Sequence, residues 1–587
     1  MVDSQPRESA RGVVAEVLAV LAIYALAAAF IHPAGNFPLN DDTYFGLPAL
    51  ELARTGHFHL TIAPHSLRAQ ILWGALFVRI FGPTFDALRA ASMVSMAIAI
   101  VMFHATLRRL PVARSVRLLA TIAFAFHPLL FWSSFTFMTE THFVCASVIA
   151  MYFYLRGLHE DRLSLLLFAG VSVAVSWWVR QTGIMTAFPP LAILLLFRAK
   201  ISTKWARAAA VCTLPLVLFV TIYALRPDWL MGSAREFYGL THMWQEATFR
   251  LPEQIALVRH YTFLTLLNTA LFLAPLVILS ARPLVRRYSH AELIVVAAVV
   301  LFAGYGVAEL LQGGSPMPFY GARPCCDMLY GSIFSNFGLG PPTAAHGFDP
   351  IFGYPFGIPY AGQVLLTIAA GVLAATLGVR LLFTLPDAVA DPRRNAAVLL
   401  AVGYVAAHTA ALCVSAAYFD RYALSSAWPV AIVLAVITPK SRRVGIRGSG
   451  VGEKTKTSDS APLWTGAIAV MLIIALFDVF AVDEYFAWQR ARWSAWNDLR
   501  RSGVSFREID AGSEPFDLME RAYADDVHVR RRMAYGPGLR RYSIAFQSLP
   551  GMRVIGRYPF RGWLGLHNGT IFVLERISET SSSASPG

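Results

Sequence analysis

Charged side chains are scarce in this chain. Only 15% of its 587 residues are Asp, Glu, Lys or Arg, whereas roughly a quarter of the residues of a soluble globular domain are charged. Apolar residues make up 56% of the sequence, and the mean hydropathy is +0.52. Soluble domain cores cannot hide so large an apolar fraction. The composition therefore excludes an ordinary soluble protein and predicts a chain that crosses a membrane many times.

Cysteine is also rare, with five in the whole chain. Three lie within apolar runs, and the other two, Cys325 and Cys326, are neighbours in a loop. This spacing contains neither a disulfide framework nor a Cys-x-x-Cys metal motif. The cysteines therefore leave the redox compartment undecided.

A single basic face is missing as well, although the formal net charge is +14. Lys and Arg fall between the apolar runs instead of gathering in one patch, which argues against a nucleic-acid partner. Basic residues in such loops orient a membrane protein, because they are enriched on the cytoplasmic side. The lipid bilayer is the expected partner.

Long apolar runs are abundant. A membrane-spanning helix needs about 20 apolar residues, and about thirteen windows reach this length. They begin near residues 13, 87, 117, 141, 163, 183, 207, 262, 291, 362, 395, 422 and 463. The first window, Val13 to Ile31, exceeds the roughly 7 to 15 apolar residues of a signal peptide and is interpreted as a retained helix. The predicted fold class is an all-α polytopic membrane protein with about thirteen transmembrane helices.

Alternate loops between these windows are rich in Lys and Arg. With the N-terminus in the cytoplasm, this alternation places the C-terminus outside. The segments expected on the extracytoplasmic side are 32–86, 133–140, 180–182, 226–261, 312–361, 418–421 and everything after 483. The expected location is the plasma (inner) membrane.

Hydropathy divides the chain into three regions. Residues 1–483 hold the predicted spans. Residues 484–577 contain no spanning segment but have strand-like runs at Met552 to Tyr558 and Thr570 to Ile577, which predict a small extracytoplasmic α+β domain. Residues 578–587 have the composition of a disordered tail.

Four polar constellations remain that basic anchoring does not explain. All lie on the predicted extracytoplasmic face, and they are Asp41 and Asp42 in LNDDTYF, Glu140 in FMTETHF, Arg180 and Gln181 in WWVRQTG, and Asp420 and Arg421 in YFDRYAL. Polar groups at membrane depth are costly and often mark function. Taken singly, each constellation also fits a simpler explanation, because Asp caps helices and Arg anchors them at the interface.

Together, these residue types suit chemistry on a lipid phosphate. Asp41 or Asp42 could take a proton from an attacking hydroxyl. Arg180 and Arg421 could hold an anionic phosphate through bidentate hydrogen bonds. Their sequence neighbours Gln181 and Asp420 are counted with them as candidate substrate-binding residues. A lipid-phosphate substrate fits both this chemistry and the membrane surface on which the residues are predicted to lie.

The order of the motifs resembles that of the GT-C membrane glycosyltransferases, the superfamily of the protein O-mannosyltransferases and lipid A aminoarabinose transferases. The motifs are LNDDTYF, GHFHL, QILWGALFVRIFG, FMTETHF, WVRQTG and FDRYALSSAWP. The resemblance implies many transmembrane helices and a first extracytoplasmic loop that carries the catalytic carboxylate. It also implies a polyprenyl-phosphate-linked sugar as the donor.

The resemblance also implies roles for single residues. Asp41 matches the catalytic base, Asp42 stands where an acidic neighbour is usual, and Glu140 matches the acidic residue of the second loop. These three are the candidate catalytic residues, with Asp42 expected in a helper role beside the base. Aminoarabinose transferases carry Lys-Pro-Pro before the amphipathic helix, where this chain has Pro-His-Ser-Leu-Arg at 64–68. Arg68 is at best a substitute for the lysine that binds the donor phosphate, so the donor sugar stays open.

The expected function is transfer of a sugar from a polyprenyl-phosphate carrier to a glycan, lipid or protein acceptor outside the cytoplasm. Inversion at the anomeric carbon is expected, because a single displacement with one base needs no covalent enzyme intermediate. Mg²⁺ or Mn²⁺ on Asp41, Asp42 and Glu140 is an alternative, but two arginines can neutralise a monophosphate, so no obligatory metal is expected. The rival functions are a polyprenyl-linked glycan ligase or polymerase, and a transporter or lipid flippase.

Overall fold

The computed structural model describes residues 10–58, 66–196, 251–281, 288–312, 357–392, 395–413, 418–438, 461–512, 540–562 and 567–577, with shorter pieces between them. Its α-helices, named α1 to α16 in chain order, are Ala10–Ile31, Asp42–Thr55, Arg68–Phe81, Phe85–Arg108, Arg114–Ala125, Pro128–Ser133, Thr139–Glu160, Leu163–Val179, Phe188–Leu196, Leu251–Phe272, Ala274–Ser280, His290–Gln312, Tyr360–Ala390, Ala396–Cys413, Leu424–Ile437 and Ala461–Arg501. Short 3₁₀ helices are Gln181–Ala187, Asp420–Ala423 and Phe506–Glu508.

Eight helices within the described ranges are long and apolar enough to cross a membrane, or up to nine if one bent pair counts as a span. This confirms the helical, polytopic fold class. The number of thirteen stays a prediction, and the window near residue 207 lies outside the described residues.

The spans differ strongly in how deeply they are enclosed. In the apolar windows of Asp420–Ile437 and α7, 83% and 72% of the residues are buried, against 17% in α12. Helix α7 packs against α4 and α8, and α15 packs against α14 and α7. Helices α7 and α15 are therefore central, and the polar residues Glu140, Asp420 and Arg421 at or just before their first turns are buried in protein.

One span is sharply broken. Helices α10 and α11 meet at an angle of 87°, with Pro275 in the first turn of α11. Proline has no N–H to donate and its ring clashes with the preceding turn, so a straight continuation of α10 is prevented.

Helix α16 is unbroken over 41 residues, a length of about 60 Å at 1.5 Å per residue. Its first half is apolar enough to span, and its second half buries Trp488, Trp493 and Trp496. The predicted boundary between residues 483 and 484 falls inside this helix. The boundary itself stays a prediction.

A small sheet packs on the second half of α16. Its strands are β3 (Ile509–Asp510), β4 (Tyr542–Ala545), β5 (Met552–Gly562) and β6 (His567–Arg576), and β1 (Phe334–Ser335) and β2 (Gly338–Leu339) form a separate pair. The sheet order is β3-β4-β6-β5, and only β3 and β4 are parallel within it. The predicted strand-like runs coincide with β5 and β6, which confirms the C-terminal α+β unit. The predicted disordered tail, 578–587, lies outside the described residues.

An ionic cluster ties α1 to α4 and α5 at the helix ends predicted to face the cytoplasm. Glu16 accepts hydrogen bonds from Arg114 and, at 2.9 Å, from Nη2 of Arg117, and its Oε2 lies 3.3 Å from Nε2 of His104. The side chains of Glu16 and Arg117 are each 4% exposed. Two charges this far from water must stay paired, because the loss of one partner leaves the other buried alone.

We expect Glu16→Ala to lower the free energy of unfolding by about 3–5 kcal/mol, the usual cost of removing one partner of a buried ion pair. The measurement is denaturant or thermal unfolding of the detergent-solubilised protein. Glu160→Ala is the control, because Glu160 pairs with Arg109 and Arg156 in a more exposed setting and its loss should cost much less. Equal losses in the two variants would contradict this account.

Candidate active site

Four charged side chains from distant parts of the sequence meet at one end of the helices. Nη2 of Arg421 lies 3.3 Å from Oδ2 of Asp41, and Nε of Arg421 lies 3.5 Å from Oε1 of Glu140. Arg180 donates a hydrogen bond of 2.9 Å to the same Glu140 oxygen. Asp41, Arg421, Glu140 and Arg180 thus form a row of alternating charge, which we call the charged row. The structure thus brings these four predicted residues together, while their position on the extracytoplasmic face stays a prediction.

Burial separates the two carboxylates of the charged row. The Asp41 side chain keeps 33% of its surface exposed, whereas the Glu140 side chain keeps 2%. The side chains of Arg180 and Arg421 are 7% and 9% exposed. Asp41 is therefore the member of the row that an incoming molecule can reach most easily.

The environment of Asp41 favours its protonated form. Burial raises the pKa of Asp41 above its ordinary value, and the nearby guanidinium of Arg421 opposes this rise. Repulsion from Glu140 and Glu514 raises the pKa further, and Arg180 lowers it. A carboxylate with a raised pKa holds a proton more firmly, which suits a general base.

The backbone around Arg180 explains how the RQTG segment reaches the site. Helix α8 ends at Val179, and Arg180 has the extended conformation, with φ −140° and ψ 141°. The following 3₁₀ helix folds back against α8 so closely that a Cβ on Gly183 would lie 2.4 Å from the carbonyl carbon of Ser176. Only glycine fits there, and the corner directs Arg180 towards Glu140.

Glu140 lies in the first turn of α7. The unpaired N–H groups and the positive end of the helix dipole favour a carboxylate at this position. The start of α7 thus suits the Glu140 carboxylate, which contacts both arginines of the charged row.

Asp42 has a different environment from its neighbour. It is 1% exposed, and its two oxygens accept the backbone N–H of Leu39 at 3.1 Å and that of Phe137 at 2.8 Å. Burial raises the pKa of Asp42 to about 7, against the opposing effects of Arg89 and the two N–H groups. These contacts make Asp42 a link between the first loop and the chain before α7. Its predicted helper role in catalysis stays a prediction.

Asp420 is likewise occupied by backbone groups. It is fully buried, and it accepts N–H bonds from Ile333 at 3.0 Å, Phe334 at 2.7 Å and Arg421 at 2.6 Å. Asp420 therefore fastens strand β1 beside the charged row and orients Arg421. Its predicted contact with substrate stays a prediction.

Arg68 and Gln181 lie beside the charged row. Arg68 donates to the carbonyl oxygen of Ser66 at 2.7 Å, and its guanidinium lies 5.6 Å from the centre of the Phe58 ring. The N–H of Leu67 donates to the carbonyl of Val179, next to Arg180. Gln181 is half-buried and begins the 3₁₀ helix. Their predicted roles in substrate binding stay predictions.

Two aromatic rings at the site are absent from the sequence-based prediction. The guanidinium of Arg180 lies 5.1 Å from the centre of the Tyr422 ring, and that of Arg421 lies 4.6 Å from the Phe419 ring. Stacking on a ring holds a guanidinium in one plane. The sequence signal is the pair of aromatics that flank Asp-Arg in YFDRYAL.

Arg89 is a further residue that sequence reasoning missed. It is 2% exposed and donates to the carbonyl oxygens of Pro33, Gly35 and Phe37. Arg89 thereby fixes the loop that leads to Asp41. An arginine inside the apolar α4, away from any basic loop, is the signal that could have found it.

The charged row does not fit a divalent metal site. Arg421 contacts both Asp41 and Glu140, and Asp42 uses both oxygens on backbone N–H groups. Within the residues described, no group of three or more His, Cys, Asp or Glu side chains could hold a metal ion. Mg²⁺ or Mn²⁺ therefore enters no step below.

Part of the sequence matches a known family. Residues 71–223 match the sequence model of the dolichyl-phosphate-mannose-protein mannosyltransferase family. The match confirms the resemblance to GT-C glycosyltransferases over that segment. No curated protein matches the chain in a sequence search.

Solved structures resemble the chain distantly. The structure of ArnT from Cupriavidus metallidurans, bound to undecaprenyl phosphate, is 15% identical with a TM-score of 0.40, over 99% of this chain and 100% of that one. The oligosaccharyltransferase AglB from Archaeoglobus fulgidus is 14% identical with a TM-score of 0.42, over 82% and 58%. The S. cerevisiae protein O-mannosyltransferase Pmt1-Pmt2 complex is 17% identical with a TM-score of 0.32, over 39% and 36%. The chain thus spans about a third of that last relative.

We expect Asp42→Ala to destabilise the protein more than Asp41→Ala does. The first change leaves two buried N–H groups without their acceptor, at about 1–3 kcal/mol each, whereas Asp41 is one-third exposed and its contact with Arg421 is 3.3 Å long. Unfolding of both variants in the same detergent measures the difference. A larger loss in Asp41→Ala would show that Asp42 does not link the two loops.

Proposed function

We propose that this protein is an integral membrane glycosyltransferase. It moves a sugar from a polyprenyl-phosphate carrier to a hydroxyl or amine of a glycan, lipid or protein acceptor on the extracytoplasmic face. The observation that carries the proposal is the charged row, in which one reachable carboxylate lies beside two enclosed arginines. The matched family segment, which includes Glu140 and Arg180, supports it.

Asp41 is the general base of the proposed reaction. The acceptor oxygen or nitrogen attacks the anomeric carbon while its proton passes to Asp41. The bond from the anomeric carbon to the phosphate oxygen breaks, and its electron pair leaves with the polyprenyl phosphate. One displacement of this kind inverts the anomeric configuration.

Arg180 and Arg421 stabilise the departing phosphate. Each guanidinium presents five N–H donors in a planar fork, a geometry that matches the oxygens of a phosphate. Glu140, Tyr422 and Phe419 keep the two groups in place before substrate arrives. Such preorganised charge stabilises the developing negative charge at little reorganisation cost.

A transporter or flippase is less well supported. That function would place ionisable residues along a path through the bilayer midplane. The charged row instead lies where helices begin or end, with Glu140 in the first turn of α7 and Arg180 directly after α8. A ligase or polymerase of polyprenyl-linked glycans would use the same phosphate clamp, and only the acceptor would differ.

The proposal includes a location. The protein is a multi-pass protein of the plasma (inner) membrane, with its N-terminus in the cytoplasm and the C-terminal unit outside. The alternation of basic loops supports this orientation. The donor, the acceptor and the bilayer are the partners, and nucleic acid is not.

A transfer assay tests the function. Membranes containing the protein are incubated with a panel of radiolabelled polyprenyl-phosphate sugars, and label is followed into glycan, lipid and protein fractions. Transfer of at least one sugar is expected. No transfer from any polyprenyl-phosphate donor by the folded protein would overturn the proposal.

We expect Asp41→Asn to reduce turnover by about 10²- to 10⁴-fold, the usual contribution of a general base. The amide has the size of the carboxylate but cannot accept the proton, so donor binding should persist. Asp42→Asn is the matched control and should retain measurable activity. In the wild type, the rate should fall as the pH drops through the raised pKa of Asp41, because only the ionised carboxylate is a base.

The measurements are turnover and donor affinity of purified variants, with turnover followed against pH. An active Asp41→Asn together with an inactive Asp42→Asn would reverse the assignment of the base. Activity in both variants would remove this loop from the chemistry.

Arg180→Ala and Arg421→Ala should each weaken the use of the donor more than that of the acceptor. A hydrogen bond between charged groups contributes roughly 1.5–3 kcal/mol, which corresponds to about a 10- to 150-fold loss in donor affinity at 1.4 kcal/mol per decade. Lysine should restore part of it, since it keeps the charge but lacks the planar fork. Titration with the donor measures these affinities. Unchanged donor affinity in both alanine variants would mean that Arg180 and Arg421 are structural anchors only.

A further inference from the structure

A buried ion pair of the C-terminal unit reaches the loop that carries Asp41. Arg492 in α16 donates from Nη2 to Oε2 of Glu514 at 3.0 Å, and both side chains are 1% exposed. Arg492 also donates to the carbonyl oxygen of Ala511 at 3.1 Å. The second oxygen of Glu514 accepts the backbone N–H of Asn40 at 3.1 Å. Asn40 directly precedes Asp41.

Asn40 has an unusual backbone conformation. Its φ is +49°, in the left-handed region that non-glycine residues seldom adopt and that asparagine tolerates best. Its side-chain amide lies 3.2 Å from the sulfur of Met138, two residues before Glu140. Asn40 is therefore held from both sides, by Glu514 through its backbone and by the Met138 segment through its side chain.

We propose that Glu514 is a positioning residue for the site, through which the C-terminal unit holds Asn40 and thereby sets the place of the Asp41 carboxylate. This inference rests on the proposed function of Asp41 as the base. It gives the C-terminal unit a part in catalysis although none of its strands lies in the charged row.

The geometry explains why such a support is needed. Asp41 is the N-cap residue of α2, but its side chain makes no capping hydrogen bond. Helix α2 therefore does not orient this carboxylate by itself, and the contact with Arg421 is 3.3 Å long. A displacement of about 1 Å at a reacting group can cost a factor of 10² in rate. The Glu514 contact removes the freedom of the residue just before the base.

Charge provides a second effect of Glu514 on Asp41. Arg421, Glu140, Glu514 and Arg180 act on the pKa of Asp41, and Glu514 raises it by repulsion. Asp42 and Tyr422 also interact with the charge of Asp41. Without that negative charge, the pKa of Asp41 should fall. A purely structural role of Glu514 would not move this pKa.

The test compares two variants of Glu514 in the full-length, detergent-solubilised protein. Glu514→Gln keeps an oxygen that can accept the Asn40 N–H, whereas Glu514→Leu does not. We expect Glu514→Leu to lower kcat about 10- to 100-fold with little change in the donor KM. Glu514→Gln should restore most of kcat, while the acid limb of its pH profile shifts to lower pH.

Two further variants separate positioning from stability. The double variant Arg492→Met/Glu514→Leu removes both charges, and such replacements of buried pairs are often neutral in stability, so its kcat should stay low while its melting temperature recovers. Glu16→Gln makes the same chemical change in the buried pair with Arg117 at the other end of the helices. It should lower the melting temperature but leave the acid limb in place.

Amide hydrogen exchange of peptides covering residues 33–42 gives a readout that does not depend on activity. Faster exchange in Glu514→Leu, but not in Glu16→Gln, is expected. Unchanged exchange of residues 33–42 in Glu514→Leu, or full kcat in that variant, would overturn the positioning role. Failure of the proposed function is distinguishable, because the wild type would then transfer no sugar although the exchange difference remained.

Discussion

The contact of Arg421 with two carboxylates is the interaction on which the site depends. Glu140 is almost fully enclosed, and an anion in such a place is stable only beside a cation. Arg421 meets that requirement and also reaches Asp41. The first loop, the start of α7 and the start of α15 are thereby joined by charge at one point. Because Arg421 and Glu140 are almost fully enclosed, salt screens their attraction little, whereas it screens the partly exposed contact with Asp41 more.

The aspartates around Arg421 have different structural roles. Asp42 and Asp420 have oxygens filled by backbone N–H groups, so they hold loops in place. Asp41 keeps part of its surface open. In both the Asp-Asp and the Asp-Arg motif, one residue is buried against the backbone, and its neighbour belongs to the charged row. Adjacent residues point in different directions at these turns, which explains how two similar carboxylates acquire different roles.

Much of this arrangement is predictable from the sequence, for physical reasons. Basic loops orient the spans, so Asp41, Glu140, Arg180 and Arg421 are expected on one face before any contact is known. The separate environments of Asp41 and Asp42 are not predictable in this way, because they depend on the N–H groups of Leu39 and Phe137. The role of Glu514 cannot be predicted from the sequence for the same reason. Its contact with Asn40 joins residues 474 positions apart, and nothing in its local sequence marks it.

The unbroken helix α16 is a rigid connection between its apolar, span-length first half and the sheet that packs on its second half. An α-helix turns by about 100° and rises by about 1.5 Å per residue. Adding or removing one residue of α16 would therefore rotate the sheet about the helix axis by a large angle but move it little along that axis. The number of residues in α16 thus determines how the sheet is oriented relative to the membrane-spanning helices. Loops accommodate changes in length without such an effect, whereas a change in the length of α16 would reorient the whole C-terminal unit.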